Sequence, residues 1–315
     1  MSEPRLAPVV VVTGPTASGK SQAALELAER FGGEIVNADS MQVYRLLDVG
    51  TAKPSAAERA RVPHHLFDVV DPDVQYDAGR YAREAAAAVE NIHARGRPAF
   101  VVGGSGLYIK ALLEGLSVGV GRDRELRAAL EAEDERARAD GDPERLHRRL
   151  AEIDPTSARA LHPNDRVRIV RALELHASTG IAPSVIQRRS RSARPWRVLQ
   201  LALDPGREAL ARRIDRRCEA MIAGGLLQEV RHLRDLGYGP ELPSMRAIGY
   251  RHMQPVVDGL DTLANVLEDM KRDTRRFARR QRTWLRSVPG VEWMTPEPLE
   301  ALVLRVKRFL AEETG

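Results

Sequence analysis

The chain has 315 residues, 43% of them apolar, with 49 Lys plus Arg against 44 Asp plus Glu and a formal charge of +5. No apolar run is long enough to span a bilayer, and a lone cysteine, Cys218, excludes an internal disulfide or a cysteine-based zinc site. The opening MSEPRLAPVVVVTG lacks the basic, long apolar and small-residue segments of a signal peptide, so a cytoplasmic protein with no membrane partner is expected.

Residues 9–13 are a continuous β-branched run and read as a buried strand. A glycine-containing turn follows at residues 14–19. Residues 21–31 then place Ala24, Leu25, Leu27 and Ala28 at helical spacing. A second strand, 34–38, ends at Asp39. This strand–loop–helix–strand unit starts a doubly wound parallel sheet. An alanine-rich helix is expected at 76–94. A strand at 99–102 comes next, then a second glycine turn and another helix. Residues 121–194 are charged and helical in period, without a strand pattern. A strand pattern returns at 197–205. The last strong element is a helix at 262–286, with Leu263, Val266, Leu267, Met270, Phe277 and Trp284 on one face.

The first turn reads GPTASGKS and fits G-x-x-x-x-G-K-[ST] between a strand and a helix, the context that motif needs. Gly14, Pro15, Thr16, Ala17, Ser18, Gly19, Lys20 and Ser21 would cradle a diphosphate with backbone amides. Lys20 adds a charge, and Ser21 offers a hydroxyl to Mg²⁺. The fold class is therefore α/β: a P-loop NTPase-like parallel sheet core flanked by helices, with an inserted all-helical domain. The core is assigned to residues 1–120 and 195–315 and the insertion to 121–194.

The loop does not name the molecule behind the phosphates. A magnesium-binding aspartate at a later strand end is missing, since the best later run, AFVVGG, ends in glycines. Asp39 lies instead at the end of the second strand, where such sheets form their ligand crevice. It is a candidate to orient a nucleophile and take its proton. The alternative is a helix cap or turn residue in ADSMQ. Ser105, in VVGGSGLY, is a candidate hydrogen-bond donor to phosphate or nucleic acid, or part of a plain tight turn.

Residues 271–286, KRDTRRFARRQRTWLR, hold eight basic residues and one acid, Asp273. Arg272, Arg275, Arg276 and Arg279 cannot all find acidic partners within the protein, so this helix suits an RNA backbone; the alternative is a solvated face pairing with acidic helices. The basic stretch at 187–197 adds to that surface. A small-molecule kinase needs neither the insertion nor this helix. A GTPase would carry an N-K-x-D motif, which is absent.

The motifs GPTASGKS, ADSMQVYRLLDVGTAKPS, HHLFDVVDP, VVGGSGLYIKALLEGL, HPNDRVRIVRALE, MRAIGYR and TRRFARRQRTWLR occur in this order. Together they resemble the signatures of bacterial tRNA dimethylallyltransferases (tRNA isopentenyltransferases) over almost the whole chain. The resemblance implies transfer of a dimethylallyl group from dimethylallyl diphosphate to N6 of the adenosine 3′ of the anticodon, position 37, with Mg²⁺ as cofactor and the tRNA anticodon stem-loop as partner. It implies a monomer. Asp39, Lys20, Ser21 and Ser105 become the catalytic set. Residues matching the family's tRNA contacts are Asp39, Ser40, Met41, Gln42, Ser105, Arg127, Arg168 and Arg171. Further along, Arg246, Gly249, Tyr250, Arg251, Arg279, Arg280, Gln281, Arg282, Thr283, Trp284 and Arg286 join them. The loop ends in Ser21 where many members have Thr, and GGTG reads GGSG here; both changes keep a hydroxyl. An enzyme that prenylates free AMP would share the loop and the aspartate but would not need the insertion or the basic helix. A P-loop nucleotide kinase is the more distant alternative.

Overall fold

The computed structural model describes residues 6–115, 123–190 and 194–312. The expected boundary at residue 120 and residues 191–193 of the basic stretch lie outside them. The chain divides into two compact units, one of Met1–Leu112 with Pro195–Gly315 and the other of Leu113–Arg194.

The first unit runs β1 (Ala7–Thr13), α1 (Lys20–Arg30), β2 (Glu34–Asn37), α2 (Ala56–Arg61), β3 (His64–His65), α3 (Ala78–Ala94), β4 (Ala99–Val102) and α4 (Gly106–Glu114). The second unit holds α5 (Arg124–Ala139), α6 (Arg145–Ile153), α7 (Pro155–Ala160), α8 (Arg166–Thr179) and α9 (Pro183–Ser190). The chain then completes the first unit with β5 (Trp196–Leu203), α10 (Arg207–Ala223), α11 (Leu226–Asp235), α12 (Tyr250–Val257), α13 (Leu263–Arg286), β6 (Val291–Met294) and α14 (Leu299–Ala311).

All six strands are parallel, in the order β3-β2-β4-β1-β5-β6. Parallel strands are covered on both faces, which is why β1 and β4 are unbroken apolar runs. On one face Leu25, Leu27, Leu302, Val306 and Phe309 pack against Val10, Val12, Phe100 and Leu201. On the other, α3 buries Tyr81, Ala85, Val89 and Ile92. The second unit has a core of its own, formed by Leu130, Leu146, Leu150, Ile169, Val170 and Leu173. Buried Asp154 ties it together by accepting the N–H and O–H of both Ser157 and Ser184.

Two edge strands, β3 and β6, were not expected from the sequence. β3 has two residues, too few to show any period, and β6 is only partly buried. The apolar stripe of α13 also differs from expectation. It continues from Met270 through Thr274, Ala278, Gln281 and Leu285, while Phe277 is 37% exposed.

Strand register positions the site. Asn37, Val102 and Val12 stand side by side across β2, β4 and β1. Two residues further on come Asp39, Gly104 and Gly14, so these reach one height at the carboxyl edge. β4 separates β2 from β1, which sets Asp39 about two strand spacings, roughly 10 Å, from the phosphate loop. Gly103 lies against the Ala38 carbonyl so closely that any Cβ would overlap the backbone. Gly103→Ala should therefore destabilise the fold by about 2–3 kcal/mol through overpacking. A urea-unfolding midpoint equal to wild type would contradict this close approach.

Candidate active site

The phosphate loop has the shape of an anion nest. Ala17 (φ 62°) and Gly19 (φ 94°) are left-handed, and alternation of this kind turns successive N–H groups inward. Gly14 cannot carry a side chain, because a Cβ would press on the Leu203 carbonyl. The Ser18 hydroxyl is buried without a hydrogen-bond partner. Lys20 opens α1, and its Nζ donates to the Pro15 carbonyl at 3.2 Å. Burial, and then the nearby Arg217 charge, push the Lys20 ammonium down to about 8, against a smaller opposing pull from Asp39. A positive charge held out of water without a full counter-charge is a site prepared for an anion.

Asp39 is fixed as a turn residue. Its N–H donates to Asn37 Oδ1, and its own Oδ1 accepts the Met41 N–H at 2.9 Å. Its second carboxylate oxygen takes no part in this turn. Ser105 lies behind it. The Ser105 hydroxyl accepts the Ser40 N–H at 2.9 Å and donates to Ser40 Oγ at 3.1 Å. Through these two contacts Ser105 braces the aspartate turn.

Loop and aspartate open on one cavity of about 110 Å³. Thr16, Lys20, Ser21 and Arg217 form its cationic and polar end, with Asp39 and Gln42 also facing it. Leu25, Ile35, Phe67, Val102 and Phe277 supply apolar wall, while Lys53, Glu58, His64 and Gly103 also line it. Such a space takes a group that is part anion and part hydrocarbon.

Arg217 was missed in the sequence. It sits on α10 one turn from Arg213, which donates to the Ser18 carbonyl and pairs with Glu297. Burial lowers the Arg217 pKa, and the Asp39 charge opposes that. The signal was present: Arg213 and Arg217 each precede a buried residue, Ile214 and Cys218, on the apolar stripe of that helix. Glu229 was missed too. Its carboxylate accepts the N–H groups of Asp48, Val49 and Gly50 and the Tyr250 hydroxyl. This fixes the loop whose Thr51 and Ala52 carbonyls hold the Gln42 amide.

Several expected RNA-contact residues are placed otherwise. Tyr250 is fully buried against Gly50, and Gly249 is buried as the N-cap of α12. Gln281 is 8% exposed and reaches the phosphate loop. Trp284 lies across Gly106. Arg251 pairs with Asp273 and Arg282 with Asp204. Of the four arginines expected to outnumber their acids, Arg272, Arg275 and Arg276 pair with Asp269, Asp215 and Asp273. Arg279, Arg280, Arg286 and Arg246 are exposed and form no ion pair among the described residues; Thr283 is also exposed. In the second unit Arg127 pairs with Glu131, Arg168 with Asp165 and Arg171 with buried Glu174.

Among the described residues, no three His, Cys, Asp or Glu side chains cluster as a metal site, and no helix is long and apolar enough to cross a membrane. Magnesium shared with a diphosphate keeps most of its water and needs one or two protein oxygens. The Ser21 hydroxyl fits that role.

Residues 42–288 match the family described as IPP transferase. The matched span begins just after the phosphate loop and Asp39. A tRNA dimethylallyltransferase of Geobacter sulfurreducens is 50% identical over 287 residues, covering 91% of each chain. The crystal structure of a tRNA isopentenylpyrophosphate transferase from Bacillus halodurans superposes with a TM-score of 0.70 at 36% identity, covering 98% of this chain and 96% of that one. A eukaryotic dimethylallyltransferase acting on tRNA gives a TM-score of 0.77 at 30% identity, covering 96% of this chain and 77% of its own.

Bound anion would raise the Lys20 pKa, so binding above about pH 8 must take up a proton. Affinity for inorganic diphosphate, relative to a Lys20→Arg variant, should hold below that pH and fall by up to about tenfold per unit above it. A flat ratio from about pH 6 to 10 by calorimetry would remove Lys20 from the cradle.

Proposed function

The chain belongs to the IPP transferase family, and on that premise we propose that it transfers a dimethylallyl group from dimethylallyl diphosphate to N6 of the adenosine 3′ of the anticodon, position 37, in tRNA. The observation that carries this reading is the cavity itself. A phosphate cradle and a carboxylate face one space, part of whose wall is apolar side chain.

The loop amides, Lys20 and Arg217 hold the diphosphate. As the allylic C–O bond breaks, negative charge moves onto the leaving group, and these fixed charges stabilise it there. Ser21 would hold a magnesium ion, which adds positive charge beside the diphosphate when bound. The allylic carbon becomes electron-poor. Leu25, Ile35, Phe67, Val102 and Phe277 keep water from it, and the aromatic faces favour positive charge. The adenine N6 lone pair is delocalised into its ring, so N6 is a weak nucleophile. Asp39 hydrogen-bonds to N6 and accepts its proton as the C–N bond forms. A base inside a stem-loop must leave its stack to enter.

The tRNA surface of the first unit centres on Arg246, Arg279, Arg280 and Arg286, which are free of ion pairs among the described residues. Arg127, Arg168 and Arg171 offer charge from the second unit, already partly neutralised by acids. The Ser40–Gln42 turn meets the target adenosine.

Labelled dimethylallyl diphosphate incubated with tRNA should leave its label in the RNA; label in AMP alone, or ATP hydrolysis instead, contradicts the reading. Asp39→Ala should cut transfer by about 10²–10⁴-fold, the range of a lost general base, and leave tRNA affinity intact. Near-normal turnover would remove Asp39 from that role. Replacing Arg279 or Arg280 by alanine should lower the slope of log affinity against log salt by about one each. Equal losses from Arg275→Ala, which gives up an ion pair with Asp215, would refute the assignment of the unpaired arginines.

A further inference from the structure

Gln281 joins the two loops that follow β1 and β4. Its Oε1 accepts the Thr16 N–H at 2.8 Å, and its Nε2 donates to the Gly104 carbonyl at 3.0 Å. The orientation of the amide follows from its partners, because an N–H can only donate and a carbonyl can only accept. Gly104 leads into Ser105, whose hydroxyl holds Ser40 beside Asp39. One buried amide thus ties the phosphate loop to the turn that braces the carboxylate.

Packing alone does not call for glutamine here. The neighbouring stripe positions on α13 are Ala278 and Leu285, and a buried amide is costly unless fully bonded. Phe277, one turn earlier, enters the same cavity. The outer face of the same helix carries Arg279, Arg280 and Arg286. Whatever fixes that face also fixes Gln281, and through it the Thr16 end of the loop.

Resting on the function given above, we propose that Gln281 is a positioning residue that couples RNA docking on α13 to the diphosphate cradle. RNA held by the outer arginines immobilises the helix. The loop is then ordered before diphosphate arrives, so diphosphate binding loses less conformational entropy. The coupling is reciprocal: diphosphate tightens RNA binding by the same factor.

The test titrates inorganic diphosphate with magnesium into the full chain, with and without an anticodon stem-loop RNA. In wild type the RNA should tighten diphosphate binding at least about fivefold. In Gln281→Met, which keeps the length but neither hydrogen bond, that ratio should fall to about one. A wild-type ratio of one overturns the proposal. So does Gln281→Met with weakened binding but an unchanged ratio, the result expected of a merely structural residue. Should Gln281→Met fail to fold, hydrogen exchange in wild type decides: protection of the Thr16 amide should rise when RNA is added, and unchanged exchange refutes the coupling. Transfer of label to tRNA by wild type is measured in parallel. Loss of that transfer would defeat the function; transfer with unaltered coupling in Gln281→Met defeats only this inference.

Discussion

Asn37, Val102 and Val12 lie abreast on three neighbouring strands, and the residues just beyond them make the site. β1 hands on to the anion nest and β2 to Asp39. β4, between them, ends in Gly103 and Gly104. The interposed strand sets the distance between the phosphate loop and Asp39, and its glycines admit the Ala38 backbone and the Gln281 amide at close approach. A side chain at Gly103 would push the Ala38 backbone aside. The apolar walls, the arginines of α10 and the Gln281 tie are arranged around this fixed spacing.

That arrangement explains why a phosphate loop serves here without the partner aspartate of a typical P-loop NTPase. At the end of β4 a carboxylate would hold magnesium against a nucleotide. Glycines there give up the metal ligand and let the Ala38 backbone and the Gln281 amide pack against the strand end. Lys20, depressed by burial and by the Arg217 charge, and Arg217, depressed by burial, are both cations that a bound anion would stabilise. A diphosphate that gains charge as it departs meets this cradle best when the reaction is furthest along, which is the condition for catalysis by differential binding.

Much of this was legible in the sequence. The β-branched run of β1, the loop glycines and the turn after β4 have local causes, so their periods and spacings identify them. Asp39 was found because a strand end is a predictable place. What escaped depends on distant partners. Arg213 and Arg217 look like surface charges until α10 is packed against the phosphate loop. Glu229 looks like an ordinary helical acid until the loop at 48–50 donates three N–H groups to it. Tyr250 and Gln281 lie in motifs that resemble RNA contacts, yet both are buried and act on the protein's own loops. The basic helix was recognised by composition, but composition could not separate Arg275, tied to Asp215, from Arg279, which has no such partner among the described residues.

The central claim is that the cradle holds a leaving group whose hydrocarbon end lies between Gly103 and Phe277, within reach of Asp39. A crystal structure with magnesium and a dimethylallyl diphosphate whose bridging oxygen is replaced by sulfur tests it most directly. The account predicts the diphosphate on the amides of residues 14–21 and the branched tail against Leu25, Phe67 and Phe277, on the Asp39 side. A tail directed to solvent, with the apolar cavity empty, would contradict it.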